Sequence, residues 1–90
     1  MSFVIDFKDE AKRDIAKHKQ SGQKKLIEKI KTFTLECQVN PRTGTGKPEQ
    51  LKYRKDETWS RRINDKHRFV YEVKNNFVYI LSAWGHYDDK

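Results

Sequence analysis

The stretch that decides the fold is HRFVYEVKNNFVYILSAW, residues 67–84. Two runs rich in aromatic and β-branched residues are separated by KNN at 74–76, which is typical of a tight turn between antiparallel strands. In both runs the alternating faces are apolar on either side, as expected for central strands that are covered by helices. The sequence therefore predicts two neighbouring central strands near the C-terminal end of the chain.

Three further runs have the composition of strands. QLKY at 50–53 and TWSRRIN at 58–64 precede the central pair, and NDK at 64–66 is a turn signal between the second of these runs and the third strand. FVIDF at 3–7 places Phe3, Ile5 and Phe7 on one face of an extended chain and Val4 and Asp6 on the other, a period of two that indicates a half-buried first strand. Together these runs predict a first strand followed, later in the chain, by an antiparallel meander.

Two helices are predicted between the first strand and the meander. From Asp9 the apolar positions recur with helical spacing until Gly22, which suits a C-cap. Ser21 is a candidate N-cap for a second, longer helix that ends at Asn40 and Pro41. Residues 41–49, PRTGTGKPE, read as a loop. The predicted fold class is α+β, with two N-terminal helices packed on a twisted antiparallel β-sheet in a single domain spanning 1–90.

Composition narrows the functional classes. The chain has 90 residues, too few for a large cofactor-binding architecture, and its net charge of +7 suits a polyanionic partner such as nucleic acid or an acidic protein. No apolar run approaches the ~18 residues of a membrane span and the N-terminus does not resemble a signal peptide, so a soluble, cytoplasmic protein without membrane contact is expected. With one Cys and three scattered His, we expect no metal and no cofactor.

No motif for nucleotide hydrolysis or a serine nucleophile is present. GTGKPE at 44–49 has too few residues before its Lys for a phosphate-binding P-loop. The remaining candidates are polar residues of the sheet half, which should be adjacent in space: Glu49, Lys52, Arg61, Arg62, His67, Arg68, His86 and Tyr87. A carboxylate, an imidazole and several guanidinium groups can cleave RNA without metal, because they supply a base for the ribose 2′-OH, a counter-charge for the phosphate and an acid for the departing 5′-oxygen.

Each arginine and the glutamate also has a purely structural interpretation. Glu49 could be a solvated loop charge, and Arg61 and Arg62 could be exposed strand residues that discourage edge pairing. Because adjacent strand residues face opposite sides, at most one of that pair should point into a site. Arg68 interrupts an apolar strand and requires a partner or a ligand, and a structural ion pair with Glu72 is the alternative.

The three histidines and the late tryptophan differ in position. His18 falls on the apolar stripe of the first helix, which favours packing, and His67 could simply hydrogen-bond its neighbours after a turn. His86 follows a strand and Gly85, a residue that permits a turn, so it lies at a strand end where sites form. Trp84 is better explained by packing than by base stacking.

Three motifs in order carry a resemblance: GTGKPEQLKY from 44, TWSRRINDKHRFVYEV from 58 and the closing His86-Tyr87 pair. Their combination resembles the YoeB, or Txe, branch of the RelE/ParE toxin superfamily of type II toxin-antitoxin systems, over essentially the whole chain. The resemblance implies a ribosome-dependent mRNA endonuclease, an mRNA interferase that cuts A-site codons by metal-free 2′-OH attack and so inhibits translation. It also implies the α+β fold that the periodicity indicates.

The resemblance assigns roles to individual residues. It implies that Glu49 is the general base, His86 the general acid and Arg68 the group that stabilises the transition-state phosphate, while Tyr87 helps to position the substrate. Lys52 and Arg62 match supporting basic positions, and with Arg61 they form the candidate RNA-binding set.

The same resemblance implies partners and leaves rivals open. The expected partners are a cognate antitoxin of the YefM/Axe-like kind, whose acidic segment would cover the site, together with the A site of the ribosome, mRNA and a second copy of the chain in a homodimer. One alternative is a non-catalytic RNA- or ribosome-binding domain, a decayed toxin. The other is a gyrase inhibitor of the ParE type, against which the joint presence of Glu49 and His86 argues.

Overall fold

A computed structural model describes residues 2–52 and 54–85 of the chain. The elements follow the order β1 Val4–Phe7, α1 Asp9–Gln20, α2 Lys24–Val39, β2 Glu49–Gln50, β3 Glu57–Arg62, β4 Arg68–Lys74 and β5 Phe77–Ser82. The predicted α+β class, with two helices before the meander, is confirmed. Neither helix is long and apolar enough to cross a bilayer, a statement that covers these described residues.

Both helices are amphipathic and bury one stripe. In α1 the buried residues are Ala11, Asp14 and His18, which follow i, i+3 and i+7 spacing. Acidic residues occupy the first turn of α1 and basic residues the last, which complements the helix dipole. The boundary between the helices differs from the prediction: Ser21 is the C-cap of α1, where its hydroxyl donates to the carbonyl oxygen of His18, and Gln23 is the N-cap of α2.

The five strands form one mixed sheet in the order β1-β5-β4-β3-β2. Strands β2 to β5 pair antiparallel with their neighbours, as the meander predicts, and β4 and β5 are interior strands. Strand β1 adds a parallel pair with β5, from Val4 opposite Phe77 to Phe7 opposite Ile80. The connection between these parallel strands is long and contains both helices and strands β2 to β4. The predicted QLKY strand is shorter than expected, since β2 comprises Glu49 and Gln50 alone.

The core lies between the helices and one face of the sheet. Phe33 of α2 packs on Phe69 of β4 with ring centroids 5.5 Å apart, and Phe69 contacts Tyr71 at 5.7 Å. Ile63, Val78 and Ile80 are fully buried on the sheet side, which is the apolar covering that the central run predicted. One face of the sheet is therefore committed to the helices, so polar residues of the opposite parity project from the other face.

Candidate active site

Glu49 lies at the start of β2, on the edge of the sheet. It is exposed and pairs with Ser60 of β3, which in turn lies opposite Val70 of β4. Residues that lie directly opposite one another in antiparallel strands project to the same face. Because Arg61, between Ser60 and Arg62, points to the helices, the Glu49 carboxylate projects from the sheet face that the helices leave uncovered.

Arg62 and Arg68 lie directly opposite each other across β3 and β4. They share the face of Glu49, since each lies two residues from the Ser60–Val70 pair. The Arg68 guanidinium is half-buried, and its Nη1 donates to the carbonyl oxygens of Asn64 at 2.7 Å and His67 at 3.2 Å. Arg62 is about half-exposed and lies 4.0 Å from an Asp65 oxygen, so its ion pair is weak.

The site is thus built from three adjacent strands. Two strand spacings of about 4.8 Å each separate β2 from β4, and Arg68 lies two residues along β4 from Val70, the residue in register with Glu49. The backbones that carry Glu49 and Arg68 therefore lie roughly 12 Å apart. Extended glutamate and arginine side chains can converge over that span on one phosphodiester. Lys52 is exposed two residues beyond β2, at the same edge of the sheet as Glu49.

Arg61 does not belong to this surface, and its predicted RNA contact requires correction. Its side chain is fully buried beneath the helices, where Nη1 donates to Glu36 Oε1 at 2.6 Å and Nε to the Tyr71 hydroxyl at 3.0 Å. The same guanidinium donates to the carbonyl oxygens of Thr43 and Thr45 at 2.8 and 3.2 Å. Arg61 therefore holds the loop after α2 against the sheet, and it has no solvent-facing atom for RNA.

His86 and Tyr87 lie outside the described residues. The chain that leads to them is well placed, because the Arg68 backbone N–H donates to the carbonyl oxygen of Gly85 at 3.0 Å. Gly85 has φ of +84°, a left-handed conformation that favours glycine, so the predicted turn at this residue is observed. The carbonyl group that precedes His86 thus lies beside the backbone of Arg68.

Sequence reasoning missed a buried polar cluster next to this segment. His18 packs in the core as predicted, but its ring also contacts His67 edge-on at 4.8 Å and Trp84 at 4.8 Å. Trp84 packs on His67 at 4.4 Å, in line with its predicted packing role. Asp14 is nearly buried and accepts from the Ala83 N–H at 2.9 Å. The helical spacing of Asp14 between Ala11 and His18 was the available signal.

Burial perturbs two titratable groups close to these elements. Burial lowers the pKa of His67 below its ordinary value, and the neighbouring charges of His18 and Lys66 act in the same direction. Burial raises the pKa of the Cys37 thiol to about 11, so this cysteine is protonated at neutral pH and is a poor nucleophile. Glu49 and the two cross-strand arginines therefore remain the candidates for chemistry on this sheet face.

Comparison with known proteins identifies a family to which this chain is similar. A family model described as the YoeB-like toxin of bacterial type II toxin-antitoxin systems matches residues 7–87. Toxin YoeB of Synechocystis is 40% identical over 68 residues, which cover 76% of this chain and 79% of the relative. Toxin YoeB of Escherichia coli K12 is 37% identical over 68 residues, covering 76% and 81%.

Two solved structures from Staphylococcus aureus share the fold. The YoeB dimer has a TM-score of 0.82 at 36% identity, covering 97% of this chain and 100% of the other. The heterotetrameric complex of the YoeB-YefM toxin-antitoxin has a TM-score of 0.78 at 36% identity, with the same coverage.

Proposed function

This chain belongs to the family of YoeB-like toxins of bacterial type II toxin-antitoxin systems, and from that premise we propose that it is a ribosome-dependent mRNA endonuclease. The observation that carries the proposal is the placement of Glu49, Arg62 and Arg68 on the one sheet face that the helices leave uncovered. A carboxylate on the same face as two cations supplies the base and the counter-charge that metal-free attack by a ribose 2′-OH needs.

Arg62 and Arg68 place two positive charges directly opposite each other on neighbouring strands. Like charges directly opposite each other in a sheet are destabilising, and Arg62 has a weak ion pair at 4.0 Å to relieve the repulsion. A phosphodiester bound between the guanidinium groups of Arg62 and Arg68 would turn this repulsion into two charge-assisted contacts. That gain grows in the transition state, where negative charge builds up on the phosphoryl oxygens.

Each catalytic group has a defined task in the proposed reaction. Glu49 removes the proton of the 2′-OH as its oxygen attacks the adjacent phosphorus, and Arg68 stabilises the charge on the phosphoryl oxygens. His86 protonates the departing 5′-oxygen, so the products are a 2′,3′-cyclic phosphate and a 5′-hydroxyl. Tyr87, Lys52 and Arg62 hold the RNA, and the ribosome presents the A-site codon to the toxin.

The partners follow from the charge and from the relatives. A net charge of +7 suits ribosomal RNA as well as an acidic antitoxin segment. We infer that this toxin binds a YefM- or Axe-like antitoxin and pairs as a homodimer, because the Staphylococcus aureus relatives are described as a YoeB dimer and as a YoeB-YefM complex.

The test is primer extension on a defined mRNA in a reconstituted translation mixture. Wild type should cut at A-site codons and should require ribosomes, whereas Glu49→Gln should lower the cleavage rate by about 10²–10⁴-fold, the contribution of a general base. His86→Gln should have a comparable effect. Glu28→Gln is the matched control, because Glu28 is also an exposed acid but lies on α2, on the opposite side of the core.

Sedimentation with ribosomes separates chemistry from binding. Glu49→Gln should sediment with ribosomes as wild type does, because the carboxylate acts on the 2′-OH and not on ribosomal RNA. Ribosome binding with intact mRNA would refute the endonuclease and favour a non-catalytic ribosome-binding domain. Equal loss of binding and cleavage in Glu49→Gln would refute the role of base.

A further inference from the structure

The three residues that follow β5 are held by side chains from other elements. Ala83 is fully buried, and its N–H donates to Asp14 Oδ2 at 2.9 Å while its carbonyl oxygen accepts from His18 Nε2 at 2.7 Å. Both side chains come from α1, one turn apart. Helix α1 thus forms hydrogen bonds to the peptide groups on both sides of the Ala83 Cα.

Gly85 is held by the side chain of His67, which precedes β4, and by the backbone of Arg68. Its N–H donates to His67 Nδ1 at 2.8 Å, and its carbonyl oxygen accepts from the Arg68 N–H at 3.0 Å. All four backbone polar groups of Ala83 and Gly85 therefore have partners. We call Asp14, His18 and His67 the anchor residues.

The hydrogen bonds define the protons on both imidazole rings. The Ala83 carbonyl oxygen can only accept, so His18 carries a proton on Nε2. The Gly85 N–H can only donate, so His67 Nδ1 is unprotonated and its ring is neutral. Trp84 packs on both rings, with centroids 4.8 and 4.4 Å away, which fixes their orientation.

Packing alone does not require such residues. Three of the six buried polar or charged residues in the described part of the chain are the anchor residues, and all three bind this one segment. Burial of a polar side chain is costly unless it is hydrogen-bonded, and apolar side chains of similar size would pack at lower cost. His18 Nδ1 is buried without a hydrogen-bond partner, which adds to that cost. The bonds that the three side chains do make select one geometry for the segment, which is valuable where position matters more than stability.

The residue whose position matters for the proposed reaction is His86, which comes next in the chain. His86 and Tyr87 follow Gly85 directly, and they are the acid and the substrate-positioning residue of the proposed function. Catalytic groups must be held within about 0.5 Å of their productive geometry, and a misplacement of about 1 Å can cost roughly 10²-fold in rate. We propose that the anchor residues are positioning residues for RNA cleavage, which act by fixing Ala83 and Gly85 so that His86 reaches the phosphate bound by Arg68. This inference rests on the proposed endonuclease function.

The first experiment tests the anchor without any ribosome. In uniformly ¹⁵N-labelled protein, an N–H···N hydrogen bond transmits a scalar coupling between the two nitrogens, here the Gly85 amide and His67 Nδ1. The wild type should show this coupling, and it should vanish in His67→Leu. A folded wild type with no coupling would overturn the anchor.

The second experiment uses a matched pair of variants at His67. The side-chain oxygen of Asn can occupy the place of Nδ1 and accept from Gly85, whereas Leu has the same size and no acceptor. In single-turnover cleavage on ribosomes, His67→Leu should lower the maximal rate about tenfold or more, with an unchanged half-saturating ribosome concentration. His67→Asn should stay within about threefold of wild type, because the acceptor remains. Urea unfolding of both variants shows whether they are folded under assay conditions.

The outcomes distinguish failure of the positioning role from failure of the proposed endonuclease function. Equal losses in folded His67→Leu and His67→Asn, or wild-type rates in both, would overturn the positioning role while cleavage by wild type stands. A wild type that shows the coupling but makes no cuts would overturn the endonuclease and, with it, the catalytic purpose of the anchor. A rate that falls with Leu and returns with Asn supports the proposal.

Discussion

Replacement of Arg61 by Ala should strongly lower the free energy of unfolding, whereas the same change at its neighbour Arg62 should leave that free energy nearly unchanged. Arg61 is fully buried and ion-paired to Glu36 at 2.6 Å. Arg62 is about half-exposed and lies 4.0 Å from Asp65. The two variants make the same truncation at adjacent residues, one buried and one about half-exposed.

The magnitude follows from the contacts of the guanidinium. Arg61→Ala removes the ion pair with Glu36, whose side chain is 28% exposed, and also removes the donor to the carbonyl oxygens of Thr43 and Thr45. Together these losses should cost roughly 3–5 kcal/mol. A domain of this length has a free energy of unfolding of about 5–13 kcal/mol, so Arg61→Ala should remove roughly a quarter or more of it. The midpoint of thermal unfolding should fall by about 15–30 °C. Arg61→Lys keeps the charge but not the planar fork, so it should lose about 1–3 kcal/mol.

Urea unfolding followed by tryptophan fluorescence measures the effect. Arg62→Ala should shift the free energy of unfolding by no more than about 0.5 kcal/mol, as exposed substitutions usually do, and should instead weaken ribosome binding. If Arg61→Ala unfolds at the urea concentration of wild type but binds ribosomes poorly, the structural role given to Arg61 is refuted and an RNA contact at this residue is favoured instead.

Three other predictions concern the glycine turns, acid stability and the thiol. Gly46→Ala should destabilise the fold by about 1–3 kcal/mol, because φ is +79° and an added Cβ would lie 2.6 Å from the Phe33 ring; Gly22→Ala, with φ of +73° and open space around the Cβ, should cost less in the same urea assay. The pKa of His67 is lowered in the fold, so the unfolded chain binds more protons; stability should therefore fall as pH drops through about 6.5, and His67→Asn should reduce that slope in urea titrations. Cys37, with a pKa of about 11, should react with iodoacetamide at pH 7.5 far more slowly than the urea-unfolded chain, as mass spectrometry can follow.

The periodicity of the sequence predicted the elements because it is a local property. The central run at 67–84 identified β4 and β5, and the helical spacing found both helices with ends within a few residues. The parallel pairing of β1 with β5 was not predictable in this way, since the partners Val4 and Phe77 are far apart in the chain and any exposed strand edge could have accepted β1.

The sequence around Arg61 contains a signal for its burial. Arg61 alternates with Trp59 and Ile63, both apolar, whereas Arg62 alternates with Ser60 and Asn64, both polar. The parity of the strand alone therefore assigns Arg61 to the buried face. Its charge suggested an exposed residue, but burial becomes favourable when Glu36 and a set of carbonyl groups satisfy the guanidinium. Those partners lie 25 and 18 residues away, beyond the reach of local pattern.

The two arginines show how one small sheet separates stability from recognition. On the face toward the helices Arg61 holds the loop that leads to Glu49, and each nitrogen of its guanidinium donates to an internal acceptor. The other face places Arg62 directly opposite Arg68, and in the proposed function an RNA phosphate binds between these two cations. Because Arg61 and Arg62 project from opposite faces of the sheet, neither cation can take over the task of the other. In a double variant, Arg61→Lys should therefore impair folding and Arg62→Lys should weaken RNA binding.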